Sequence, residues 1–223
     1  GKRDAQESRG LGDVYKRQVP YNIDINYFVG GQKVMGYKKM KLANAWMDPT
    51  FMKQVISAKI YQEYLPTGES NLVKLFSQGN YVGMYVNDES INKQFLDKHF
   101  DEKNGPLFKC DNIDRFCDTA GAPSAMPPNL NFLGDDSTLY YNSYDMKSDH
   151  GWTELVDLIR TIVYEFQNID SVLNVDRTLW AFAANQTLQN LDCYNTYYVH
   201  NYYLYQTEDG LFQMIPWDLD NSF

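Results

Sequence analysis

At 223 residues, 43% of them hydrophobic and 15% aromatic, the chain can build one sizeable core or two small lobes around a cleft, which argues against disorder. A formal charge of −9 argues against nonspecific nucleic-acid or anionic-membrane binding, and no run approaches the roughly 18 apolar residues of a membrane span. The three cysteines, Cys110, Cys117 and Cys193, contain no C-x-x-C pair; Cys110 and Cys117 could be bridged or free.

Residues 1–18 are expected to lie outside the fold, because Asp13-Val14-Tyr15-Lys16-Arg17-Gln18 is the translation of a widely used transposon-end sequencing adapter. The first strand is expected at 21–28, where polar and apolar residues alternate, and a second at Lys38–Leu42 after a Gly30-Gly31 turn. Asp48-Pro49 reads as N-cap and first turn of a helix over 49–64, with Phe51, Met52, Val55, Ile56 and Ile60 at helical spacing. Val73–Phe76 and Tyr81–Asn87 suggest a hairpin around Gly79-Asn80, followed by a short helix over 90–100.

Residues 110–137 shift to Asp, Asn, Gly and Pro and read as a variable loop. Trp152 to Val163 carries a helical stripe. Asp176 is expected to cap a second helix whose buried stripe is Leu179, Phe182, Ala183 and Leu188. Strands at Tyr202–Tyr205 and Leu211–Ile215 close the chain around a Glu208-Asp209-Gly210 turn. The order predicts an α+β fold in two lobes, 19–109 and 138–223.

The chemistry concentrates near the end. Asp192 follows a helix, Asn201 opens a strand, and Asp218 and Asp220 follow another. In extended chain, positions i and i+2 point the same way, which would aim both carboxylates at one spot. Two carboxylates with an amide nearby suit Mg²⁺ or Mn²⁺, and phosphoryl transfer uses this set: an Asp near the acceptor hydroxyl, an Asn and an Asp on the metal. An Asp-x-Asp also serves as plain turn residues, or in metal-dependent glycosyltransferases, although the first half lacks the alternating β-α-β pattern such a domain needs.

Other features carry two readings. Gly30-Gly31-Gln32-Lys33 lacks phosphate-loop spacing and reads as a turn. The three histidines show no zinc pattern. Glu89 either lines a nucleotide cleft or is a surface carboxylate. Trp152, Trp180 and Trp217 read as packing residues, and the Asn185-Gln186-Thr187 sequon falls inside a helix.

Several segments in order resemble the CotH kinase family over residues 19–223. They are Phe28-Val29-Gly30-Gly31-Gln32-Lys33, Asp48-Pro49-Thr50-Phe51-Met52, Gly83-Met84-Tyr85 with Glu89, and Leu107-Phe108-Lys109-Cys110-Asp111. Asn190-Leu191-Asp192, Asn201-Tyr202-Tyr203-Leu204-Tyr205 and Ile215-Pro216-Trp217-Asp218-Leu219-Asp220 complete the set. The resemblance implies an atypical protein-kinase-like fold that uses ATP and Mg²⁺ or Mn²⁺ to phosphorylate Ser/Thr hydroxyls of a partner protein, in the spore coat, secreted or at the cell surface. It makes Asp192 the catalytic residue, Asp218, Asp220 and Asn201 the metal ligands, and Glu89 a cofactor-binding candidate, with no role in nucleic-acid binding. It also implies further second-lobe helices after Phe223. Two departures stand out. The family's phosphate lysine falls at the Lys16-Arg17-Gln18 junction, so no phosphate lysine is assigned. Gln54 stands where relatives often carry a Glu able to pair with that lysine, with Glu63 as a substitute candidate; a non-catalytic pseudokinase is the alternative this raises.

Overall fold

The computed structural model describes residues 19–46, 48–111 and 127–223; the adapter-like segment, Cys117 and most of the variable loop lie outside the described residues. Among the described residues, two four-stranded antiparallel sheets and four α-helices make an α+β fold. The first sheet orders β1 (Tyr21–Asp24), β2 (Lys39–Ala43), β4 (Asn80–Asp88) and β3 (Ser70–Ser77) as β1-β2-β4-β3. The second orders β6 (Asp145–Met146), β5 (Leu107–Cys110), β7 (Tyr202–Gln206) and β8 (Phe212–Pro216) as β6-β5-β7-β8. Among the described residues the one parallel pairing is an isolated bridge, Leu173 to Phe212, so the doubly wound sheet of a nucleotide-sugar domain is not what these strands form.

The helices are α1 (Lys53–Gln62), α2 (Lys93–Phe100), α3 (Trp152–Tyr164) and α4 (Val175–Thr187). Helix α1 starts later than Asp48-Pro49 suggested, because Phe51 is left-handed at φ 60° and breaks the first turn. Asp48 is buried and still serves the start: Oδ1 accepts from the Thr50 amide and hydroxyl, and Oδ2 from the Lys53 N–H at 2.9 Å. The β3–β4 turn falls at Gln78-Gly79, one residue earlier than expected. Both have positive φ, 50° and 79°, the mirror-image turn that suits a twisted hairpin.

On α4, Asn174 is the cap and the inward face is Thr178, Ala181, Asn185 and Leu188, while Leu179 and Ala183 face out. The rotation follows from polar satisfaction. Asn185 accepts from the buried Tyr61 hydroxyl of α1 at 2.7 Å and donates to Asn195 Oδ1 at 2.8 Å, so an amide sits where a sequence stripe would place a leucine. That engagement seals the sequon asparagine inside the fold.

Helix α1 lies against the first sheet and also joins the larger core. Its Ala58 and Tyr61 pack with Leu155 and Ile159 of α3, Leu204 of β7, Met214 of β8 and Leu219. Among the described residues a smaller cluster, Ala45, Val55 and Val86, backs the first sheet. Cys110 and Cys193 are buried thiols. Among the described residues no helix is long and apolar enough to cross a membrane.

Candidate functional site

The site gathers at the open end of the β7–β8 hairpin, where Trp217 N–H bonds the Asn201 carbonyl at 3.1 Å. Asn201 and Asp218 flank this closure, both left-handed at φ 57° and 55°. Non-glycine residues hold that conformation where the surroundings over-determine it, and Asn and Asp tolerate it best. The extended-chain expectation for Asp218 and Asp220 is therefore corrected: β8 ends at Pro216, and the two carboxylates approach each other through a turn. Leu219 between them is buried in the main core and pins that turn.

Asp192 reaches the same place from the loop after α4. Asn190, itself buried, orients it by accepting the Asp192 N–H at 3.1 Å. Its Oδ2 accepts two amides, Asn201 Nδ2 at 3.1 Å and Asn221 Nδ2 at 2.9 Å. Its Oδ1 faces His200 Nδ1 at 3.0 Å. Burial alone would lower the His200 pKa; hydrogen bonds with Asp192 and the Tyr198 carbonyl outweigh it and raise the pKa. A carboxylate has about four lone-pair sites, so Oδ1 keeps one for a further donor.

The remaining carboxylates are crowded. Burial, then the charge of Asp218, pushes Asp220 up to about 7, with Asp88 and Asp192 adding to the rise. Asp218 is raised by burial and by Asp111 and Asp192, and Asp88 by burial and by Asp218. Lys41 opposes all three shifts from β2, where it pairs in register with Asp88.

Beside this acidic corner lies a cavity of about 550 Å³ lined by Lys39, Lys41, Lys109, Lys147, Tyr203 and Trp217, among others. Trp217 packs against the Ile91, Phe95 and Tyr203 cluster, as expected, and also lines this cavity: the Nζ of Lys41 and of Lys109 lie 4.1 and 4.2 Å from its ring centroid. A basic, aromatic-walled cavity beside an acidic corner is the electrostatic layout that a polyphosphate with a bridging cation would match.

Glu89 is buried and lines a smaller adjoining cavity of about 210 Å³ that shares Lys39 and Met40 with the first. Its Oε2 accepts the Glu69 N–H at 3.1 Å, and Lys98 lies 3.4 Å from both of its oxygens, so it ties α2 to the first sheet. Neighbouring Asp88 faces the corner instead. Glu63 is exposed at the end of α1. Sequence reading missed Lys41, Asp88 and Asn221. Asn221 directly follows the Asp-x-Asp, and Lys41 alternates with Met40 and Leu42, a pattern that places it on the polar face of β2 without saying what it faces.

A metal can be tested on the donor set. Among the described residues no three His, Cys, Asp or Glu side chains converge as a cage, zinc-type or otherwise. Mg²⁺ and Mn²⁺ do not require one, because they keep several waters and take one or two carboxylates plus phosphate oxygens. Asp218 and Asp220 are hard oxygen donors whose pKa values are raised first by burial and then by neighbouring carboxylates, and a cation would offset both, so they fit.

The family model described as CotH kinase protein matches residues 7–223. The chain is also 25% identical over 194 residues to the inner spore coat protein H of Bacillus subtilis (strain 168), covering 84% of this chain and 51% of that protein. It thus spans about half the length of this curated relative.

Proposed function

The chain belongs to the CotH kinase protein family, and we propose that it is a two-lobed, kinase-like phosphotransferase moving the γ-phosphate of ATP to a Ser or Thr hydroxyl of a protein partner. The observation that carries the reading is the convergence of Asp192, with its carboxylate held by three neighbours, on the Asp218–Asp220 corner beside a lysine-lined cavity. The nucleotide occupies that cavity, its phosphates toward Lys41 and Lys109 beside the Trp217 ring. Lys41, on the first sheet, supplies the phosphate-facing cation that the sequence left unassigned.

Asp218 and Asp220 hold the divalent ion, with the Asn201 side-chain oxygen as the supporting donor. Bound there, Mg²⁺ or Mn²⁺ offsets negative charge on the phosphates during transfer. Asp192 accepts the acceptor's proton on the free lone pair of Oδ1 while Asn201 and Asn221 keep its plane fixed. The acceptor oxygen bonds to the γ-phosphorus, the bond from that phosphorus to the bridging oxygen breaks, and ADP leaves. The similarity to an inner spore coat protein supports a coat or surface protein as the partner.

Purified protein incubated with labelled ATP and Mn²⁺ or Mg²⁺ should pass label into protein. Asp192→Ala and Asp218→Ala should each reduce transfer by about 10²–10⁴-fold. ATP raising the melting temperature of a parent that transfers no label would favour the non-catalytic reading. A folded parent showing neither response would remove the nucleotide assignment.

A further inference from the structure

Gln54, in the first turn of α1, is 9% exposed and touches both halves of the site. Its Oε1 accepts the Leu219 N–H at 2.6 Å. Asp88, at the end of β4, lies near the same amide, which lowers its pKa against the rise from burial. An amide is one acceptor and one double donor, so a single group can serve a backbone N–H on one side and a carboxylate on the other. The N–H it holds belongs to the residue between Asp218 and Asp220. A glutamate would fit the space, but it has no proton for Asp88. It would also add a fourth negative charge beside Asp88, Asp218 and Asp220.

We infer that Gln54 is a positioning residue for the Asp218–Asp220 cation site, its neutral amide tying α1 to the metal-motif turn through the Leu219 backbone while facing Asp88 of the first sheet. The inference deepens the phosphotransferase reading and rests on it for the cation's role. It also changes the meaning of the departure at this position. Here an amide is the matched group, and its presence does not mark a lost activity.

The test uses the full chain and Mn²⁺ alone, without nucleotide, with binding followed by electron paramagnetic resonance. Gln54→Glu and Gln54→Leu should each weaken Mn²⁺ binding about tenfold or more, the usual cost of losing an outer-shell partner. The double variant Gln54→Glu/Asp88→Asn keeps the net charge and reverses the donor, the new amide at position 88 now giving its proton to the new carboxylate at position 54. It should recover binding to within about threefold of the parent, a coupling that independent sites would not show. In metal-free protein, NMR should show the Leu219 amide exchanging faster in Gln54→Leu than in the parent, with protection retained in the double variant. Gln54→Glu binding Mn²⁺ like the parent, a double variant no better than Gln54→Glu, or unchanged Leu219 exchange in Gln54→Leu would each overturn the inference. A parent that binds no Mn²⁺ would overturn it too, since there would be no cation site to position. If the parent binds Mn²⁺ yet transfers no phosphate, the phosphotransferase reading fails alone and the Gln54 comparison still decides.

Discussion

The two sheets have equal strand numbers and opposite surroundings. Every residue of β1 is exposed, and β3 has no fully buried residue, whereas β8 is buried throughout and β7 everywhere but Gln206. The buried sheet carries Asn201 and the Asp218–Asp220 turn at its strand ends and receives Asp192 from the adjacent loop. The exposed sheet contributes Lys41 and Asp88 from a single corner. Carboxylates that repel one another need a scaffold rigid enough to hold them, and a sheet embedded in the core provides it. A phosphate-facing lysine on a flexible stem needs less. The halves are tied by a few buried bonds: Gln54 to Leu219, Thr67 Oγ1 to the Pro216 carbonyl at 2.9 Å, and Tyr61 to Asn185.

The contrast predicts unequal sensitivity. Leu219→Ala should cost about 2–5 kcal/mol in denaturant unfolding, by cavity formation under the site. Leu72→Ala, on the half-exposed strand β3, should cost under about 1 kcal/mol. Equal losses would erase the distinction between the sheets.

The carboxylate corner should show in the pH dependence of metal-free protein. The Asp220 carboxyl ionises near its ordinary value of 3.8 when unfolded and near 7 when folded, so between these the native state binds the extra proton. Its contribution is fully present below the lower value and is lost as pH rises through the upper, on the order of 2–4 kcal/mol. Asp220→Asn should flatten that fall, and Mn²⁺ should offset it above pH 7. A metal-free melting temperature that rises steadily from pH 4 to 8 with no Asp220 dependence would contradict the crowding.

Lys41→Gln should raise the KM for ATP about tenfold, equivalent to about 1.4 kcal/mol, and cost about 1 kcal/mol or less in unfolding stability, since the carboxylates lose the charge that offsets them. This sharpens the contrast, since the exposed sheet would then matter for binding more than for folding. Tyr61→Phe, which strips one buried hydrogen bond between the halves, should cost about 1 kcal/mol in thermal unfolding.

Much of the fold was legible where periodicity and burial coincide. The β7–β8 hairpin and α3 fall nearly where alternation and helical spacing place them, because their faces are sorted by the core they enter. The four residues Asp192, Asn201, Asp218 and Asp220 could be read as a group from their chemistry and order. Their geometry could not be. Left-handed backbone at Phe51 and Asp218 is held by tertiary contacts and leaves no mark in local pattern. The inward amide of Asn185 depends on partners 124 and 10 residues away. Lys41 is invisible for the same reason, since its meaning comes from Asp88, which lies across a ladder, and from Trp217, just past the last strand of the other sheet.

The sealed amide of Asn185 has a consequence for production in a host that decorates Asn-x-Thr. Transferases act on accessible asparagines, and this one is closed off by Tyr61 and Asn195 once α1 and α4 have met. A sugar at this position would therefore date its own attachment to a moment before docking and block the docking thereafter. Occupancy at Asn185 would count the molecules that failed to mature, making an otherwise silent tripeptide an internal clock for assembly.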